Sequence, residues 1–316
     1  MFQTGKISRY RSILFVLIAF FFFLGFKLFR YMELEVIQAP YCHIAQSSTL
    51  FNFIHSQFLG IVSGNYRVWG VLTLGFLWLL LILTIGQGIC SWVCFYGGID
   101  TAFSCLRRTA LIKLNVSKKW RDFPIAFLVF ILIISFMQGS AVYCKWFCPL
   151  KLTTGFWDSD FLARNAQIAF FFLALLVFLV LLPIFTKKRT FCSFLCPFGA
   201  LVSLCGKLSP YRVVIDKEKC SLCKKCVDVC PVCAIDKDDL LKNHKISSYC
   251  NRCGQCMDSC PTGAIDMRLN GRAIVIDRWG IGVRHIFIFL SLLITGVISN
   301  IFVPDVLLKL IKLIFS

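Results

Sequence analysis

Eight cysteines in the last third of the chain stand in two runs of one pattern. These are Cys220-x2-Cys223-x2-Cys226-x3-Cys230-Pro231 and Cys250-x2-Cys253-x2-Cys256-x3-Cys260-Pro261. Three thiols on one tight loop suit one face of a [4Fe–4S] cubane, and the fourth must come from elsewhere in the chain. In this bacterial-type spacing the fourth cysteine of each run serves the other cluster. The expected sets are therefore Cys220, Cys223, Cys226 and Cys260 for one cluster, and Cys250, Cys253, Cys256 and Cys230 for the second. Proline after each fourth cysteine turns the backbone away from the cluster. The matching continuations Pro231-Val-Cys-Ala-Ile and Pro261-Thr-Gly-Ala-Ile mark an internal duplication. Zinc ribbons use two C-x2-C pairs and leave this doubled order unexplained. Cys233 belongs to neither set. Two one-electron centres form a relay, so no catalytic residue is expected.

Three further pairs share the spacing C-x3-C: Cys90–Cys94, Cys144–Cys148-Pro149 and Cys192–Cys196-Pro197. On a helix, residues four apart share a face, so each pair is expected to aim both thiols one way. Each pair follows an apolar stretch. Cys90, Cys94, Cys192 and Cys196 are expected at one depth, as a candidate site for a further cluster or metal; buried apolar thiols are the plain alternative. Cys144, Cys148 and Cys42, with His43 beside it, make a second candidate. This one is either an outer redox-active metal site or a disulfide, which an oxidising compartment favours.

The elements that must position these thiols are apolar. Of 316 residues, 58% are hydrophobic, 33 are Phe and only 16% are charged, with mean hydropathy +0.77. A soluble domain of this length needs far more polar surface. A bilayer core takes about 20 apolar residues per helix, and five segments qualify: Ile13–Phe29, Val68–Ile89, Phe123–Val142, Ala166–Phe185 and Ile281–Val303. The expected fold class is thus an all-α bundle of about five transmembrane helices. Inserted in it is a cytoplasmic two-cluster α+β ferredoxin domain. Residues 1–209 carry four spans and the C-x3-C pairs, 210–275 the ferredoxin, and 276–316 the fifth span and an amphipathic tail around Val306–Phe315. The first span, preceded by Lys6, Arg9 and Arg11, reads as an uncleaved anchor, because it ends in Lys27, Arg30 and Tyr31.

The net charge of +18 lies mostly between the apolar spans, which argues for anionic headgroups and topology control and against nucleic acid. Arg107, Arg108, Lys113, Lys118, Lys119 and Arg121 mark the second loop, and Lys187-Lys188-Arg189 opens the segment after the fourth span. The positive-inside rule then puts the N-terminus, the second loop and residues 186–280 in the cytoplasm. Loops 32–66 and 143–165 and the C-terminus face outward.

The stretches "CSWVCFYGG" and "CSFLCPFGAL", with a two-cluster ferredoxin directly after the second, resemble the NapH-type membrane ferredoxins. That group includes the 4Fe-4S quinol-dehydrogenase membrane subunit of periplasmic nitrate reductase systems. CcoG-like proteins and the membrane part of NosR are similar more distantly. The resemblance spans roughly residues 65–265. It implies a bacterial inner-membrane protein whose clusters carry electrons between the quinone pool and partner redox proteins, of ferredoxin or cytochrome c type, within a multi-subunit complex. Three features depart from the pattern: Phe95 replaces a proline after Cys94, Cys144–Cys148-Pro149 is an additional pair, and a fifth span follows the ferredoxin.

Clusters at one face of a core about 30 Å thick need a carrier to reach the lipid phase. The four histidines, His43, His55, His244 and His285, offer no buried pair within the spans, so a b-type haem is not expected. A membrane quinone is the carrier that fits, with Arg284 and His285 as headgroup contacts or simple snorkelling residues. The alternative function is a CcoG-like maturation factor that reduces a metal or thiols of another metalloenzyme, motivated by the outward cysteines. No Walker A or G-x-G-x-x-G fingerprint occurs, so no nucleotide site is expected on this chain.

Overall fold

The computed structural model describes residues 7–32, 43–64, 80–107, 109–114, 120, 122–148, 160–270, 275–276, 281–299 and 303–315. Most of the expected second span and Cys42 lie outside them.

Helix α1 (Ile7–Met32) takes the place of the first expected span. Short helices α2 (His43–Ser48) and α3 (Leu50–Val62) follow. The chain then passes through a helical turn at Ile89–Trp92 into α4 (Phe95–Cys105), which packs along α1. Helix α5 (Phe123–Met137) begins with proline in its first turn, where a missing N–H costs nothing. Helix α7 (Phe161–Thr186) runs 26 residues with mean hydropathy 3.1, and is the one described helix long and apolar enough to cross a membrane. Within α7 the backbone widens to a π-helix over Leu175–Leu181.

The third expected span is corrected. Helix α5 holds 15 residues, about 22 Å at 1.5 Å per residue, which falls short of the ~30 Å core. The chain turns at Gly139, whose φ is +60°, and returns as α6 (Val142–Trp146). Phe147 then meets Phe127, near the start of α5, at a ring separation of 5.2 Å. Helix and return therefore form a hairpin.

The ferredoxin unit begins after α8 (Pro197–Cys205). Strand β1 (Tyr211–Ile215) pairs antiparallel with β2 (Ile265–Leu269), Tyr211 opposite Leu269 and Ile215 opposite Ile265. Between them lie α9 (Lys225–Val229), α10 (Lys237–Asn243) and α11 (Gln255–Ser259), with α9 and α11 packed together. A short ladder, β3 (Val275–Ile276) with β4 (Ile281–Gly282), leads into α12 (Val283–Ser299), which starts two residues later than the expected fifth span. The tail folds as α13 (Val303–Phe315) and packs on α1, with Val306 buried. Outside the ferredoxin, large apolar side chains face outward in rows: Val129, Phe130 and Ile133 on α5, Phe172, Leu173 and Leu176 on α7, and Phe289, Leu293 and Val297 on α12.

Candidate metal centre

The duplication read in the cysteine runs is a duplication of backbone. Leu222 and Arg252 both take positive φ, two residues past the first cysteine of each run. Lys224 and Gly254 do so two residues further on, and Cys233 and Gly263 three residues after each fourth cysteine. These left-handed residues fold the two loops alike. Cys233 stands where the second run has glycine, which accounts for its lying outside the ligand pattern.

Two cavities follow from this folding. One, of about 330 Å³, is lined by Cys220, Cys223, Cys226 and Cys260. The other, of about 300 Å³, is lined by Cys230, Cys250, Cys253 and Cys256. Each expected ligand set thus closes on one space, the fourth thiol crossing from the other run. Their walls are otherwise largely apolar, from Ile215, Leu240 and Ile265 in the first and Val213 and Ile235 in the second. Among the described residues no three His, Cys, Asp or Glu side chains converge on a single ion. Four thiols closing on one space match the donor set that a cubane takes. Burial pushes the Cys226 thiol up to about 11 and the Cys250 thiol up to about 12. Both are therefore protonated at neutral pH until iron displaces the protons. The second cavity is the deeper: Cys230, Cys253 and Cys256 are buried, whereas Cys223 of the first is exposed.

Buried cations dock the second loop against the helix ends. Arg252, beside Cys250, donates to Ile85 O at 2.9 Å, Ser209 Oγ at 2.8 Å and, more weakly, Gly206 O at 3.4 Å. Burial lowers this guanidinium to about 10, which leaves it charged at pH 7. Gly86 is required here: its φ is +50°, and a Cβ would fall 2.3 Å from Arg252 Nη1. Ser91 Oγ donates to Asn251 O, and Arg11 Nη1 donates to Ser91 O at 2.6 Å. Lys188 Nζ donates to the carbonyls of Val227, Asp228 and Cys230 at 3.1, 2.7 and 2.8 Å, capping α9. Arg284 pairs with Asp258 of α11, and Ser8 N donates to Asp258 Oδ2 at 2.8 Å. Reading the sequence assigned Lys188 and Arg189 to topology and Arg284 to headgroup contact or snorkelling. The docking roles of the buried Lys188 and Arg189 and of the half-buried Arg284 come from contacts distant in sequence.

The C-x3-C pairs correct a second expectation. They do not lie along one helix face. Cys90 and Cys144 sit in short helical turns, after which Val93 and Cys94 both donate to Ile89 O, and Phe147 and Cys148 both donate to Tyr143 O. Cys94 and Cys196 are extended residues that open the helices Phe95–Cys105 and Pro197–Cys205. Proline after the second cysteine is thus the first residue of a new helix, a place that suits it, and Phe95 fills the same place. Cys192 lies in a π turn, Phe191–Leu195.

The structure does bring Cys90, Cys94, Cys192 and Cys196 together. Cys196 feels the charges of Cys94 and Cys90, and Cys192 those of Cys196 and Cys94. Between them lies Arg189, 1% exposed. Its Nη2 donates to Cys90 O at 2.6 Å and lies 3.5 Å from Cys192 Sγ. Asp100, buried in α4, accepts from Cys192 N at 3.0 Å. Cys148, expected across the bilayer, joins the same region: its Sγ is 3.2 Å from Tyr96 Oη, two residues after Cys94. The hairpin of α5 and α6 carries it there. Cys144 is buried, and Cys42, the third residue of the expected outer site, lies outside the described residues.

Two family models match the chain. A 4Fe-4S dicluster domain matches residues 212–261 and 242–280. A 4Fe-4S binding domain matches residues 123–164 and 168–212. The second covers an apolar helix with its C-x3-C-P pair twice, so Cys144–Cys148 belongs to a repeat and is no stray addition. No curated protein and no solved structure matches the chain. These are iron–sulfur domains, and the cysteine cavities fit the clusters such domains hold.

Proposed function

We propose that this chain carries electrons at a bacterial inner membrane between the quinone pool and partner redox proteins, with the ferredoxin unit on the cytoplasmic side. One observation carries the reading: the loop that lines the deeper cluster cavity is hydrogen-bonded by Arg252 and Ser91 to the ends of the apolar helices. A docked ferredoxin of this kind is rigidly placed against the part of the chain that faces lipid. Outward rows of Phe, Leu and Val on α5, α7 and α12 support a lipid setting, because soluble monomers rarely expose such patches. Each cluster, when bound, exchanges one electron, so the pair matches the two electrons a quinol loses as it becomes quinone, its two protons passing to water.

The residues of this chain set the direction of contact. Cys230, Cys250, Cys253 and Cys256 hold the buried site near the helix ends, and Cys220, Cys223, Cys226 and Cys260 hold the exposed one. The first therefore serves the lipid side and the second a protein partner, in a complex of several subunits. The alternative, a maturation factor that reduces a metal or thiols of another metalloenzyme, would draw on Cys144 and Cys148. Stopped-flow absorbance of purified protein with both clusters, mixed anaerobically with a quinol or quinone analogue, tests the relay. Bleaching or recovery of cluster absorbance is expected, and clusters silent to both analogues refute it.

A further inference from the structure

One cavity in the described structure is neither cluster site. It measures about 670 Å³ and lies between the C-x3-C pairs and the ferredoxin, touching Cys90 and Cys192 on one side and Val232, Cys233 and Asn251 on the other. Its walls are mainly apolar, with Phe194, Pro124 and Trp120 among them. Trp120 is 62% exposed and stands beside Phe123, an aromatic rim of the sort found at membrane–water interfaces.

Two buried polar groups that line this apolar space keep donor atoms without hydrogen-bond partners. Arg189 keeps Nε and Nη1 free of hydrogen bonds, although Nη2 is bonded, and Asn251, 5% exposed, keeps Nδ2 free. An unpaired buried donor costs roughly 1–3 kcal/mol, more when charged, so a ligand that accepts hydrogen bonds is the natural relief. Two structural features hold the guanidinium in place. Gly97 leaves the room, since a Cβ there would fall 2.1 Å from Arg189 Nη2, and the Phe15 ring lies 5.7 Å beneath. Asn251 adjoins Cys250, and Val232 lies two residues from Cys230, so the cavity touches both loops that supply the deeper cluster site.

We infer that this cavity receives the headgroup of a quinone or quinol, with Arg189 and Asn251 donating to ring oxygens and Trp120 and Phe194 flanking the ring. The inference rests on the quinone relay proposed above and gives it a place. Among the described residues Arg189 is the cation lining this space, and the donors beside it suit a ring oxygen.

The test uses full-length protein with clusters intact, in phosphatidylcholine nanodiscs, titrated calorimetrically with decylubiquinone. Loss of a charged hydrogen bond predicts about tenfold to hundredfold weaker binding for Arg189→Gln, and loss of a neutral one about two- to tenfold for Asn251→Leu. Cluster absorbance reports that each variant is folded; if Arg189→Gln is not, Asn251→Leu decides. Native protein whose clusters respond to decylubiquinol, while the folded variants bind like native, overturns the cavity and leaves the relay standing. Clusters that ignore the quinol in native protein bring down both. Calorimetric heat that follows added anionic lipid and not the quinone overturns the assignment in favour of a phospholipid headgroup.

Discussion

Cys230 belongs to the first cysteine run by position, yet it lines the cavity of the second, with Cys250, Cys253 and Cys256. Replacing it by serine removes one of four thiols there and none from the cavity of Cys220, Cys223, Cys226 and Cys260. Protein with both clusters holds about eight iron atoms, so Cys230→Ser keeps about four in the intact site and at most about three in the damaged one. The single variant does not say which partners Cys230 has. Double variants do, because changes within one site do not add while changes in separate sites do. In the crossed arrangement, Cys230→Ser with Cys250→Ser strikes one site and leaves about four iron atoms. Cys230→Ser with Cys220→Ser takes one thiol from each site and leaves no intact cubane, with at most about three iron atoms in either. Uncrossed loops give the reverse pair of results. Iron and acid-labile sulfide are counted on anaerobically purified protein, with EPR of the reduced form to identify what survives. A third cluster at the membrane edge would raise every count by about four and leave the differences unchanged. A Cys230/Cys250 double with no intact [4Fe–4S] signal beside a Cys230/Cys220 double that keeps one would refute the crossed ligand sets.

Three further outcomes follow from the docking and the surface. Arg252→Met strips the bonds to Ile85 O and Ser209 Oγ and is expected to cost about 2–4 kcal/mol; hydrogen exchange in residues 211–269 should quicken, and unchanged exchange counts against the docking role. Gly86→Ala, which pushes a Cβ onto Arg252, should cost about 1–3 kcal/mol alone and less in the Arg252→Met background, a coupling that thermal unfolding of the double variant measures. Lys217, Lys219, Lys224 and Lys225 are exposed around the exposed Cys223, so Lys224→Glu with Lys225→Glu should slow electron exchange with an acidic flavodoxin about tenfold at low salt. The gap should close at high salt, where charges are screened, and equal rates at both would sink the idea.

The ligand residues were legible in the sequence because cluster geometry fixes their spacing, whatever the surrounding fold. Helices α1, α7 and α12 were legible because an apolar run of that length has few other uses. Two things were not. The C-x3-C pairs looked like one helix face, yet Pro197 and Pro149 carried the opposite signal: a residue before proline is pushed out of helical geometry, and Cys196 is extended accordingly. The return of α6 along α5 depends on ring contacts such as Phe127 with Phe147, which no local pattern encodes. Only Gly139-Ser140, inside the expected span 123–142, hinted at the turn. Nor did Lys187-Lys188-Arg189 reveal which of its cations would be buried, since a topology signal and a docking clamp use the same residues.

Those buried cations raise a question of charge. Arg252, Lys188 and Arg189 each lie within reach of cysteine sulfurs, and all are buried. Burying a cation without an anion is expensive, and breaking a buried pair by removing one partner costs about 3–5 kcal/mol. In the metal-free state the thiols of Cys226 and Cys250 are protonated, being pushed up to about 11 and 12 by burial. Arg252 then faces a neutral thiol at Cys250, whereas Arg189 keeps Asp100 beside it. Iron binding turns the thiols into thiolates and supplies the missing anions. Stripping iron with a chelator under anaerobic conditions should therefore loosen more than the cysteine loops. Exchange should also rise across residues 85–92, where Arg252 and Arg11 are held by backbone carbonyls. Exchange that rises only within the two cysteine runs would show that the interface stands without the cluster charges, and the cations would need another reason to be there.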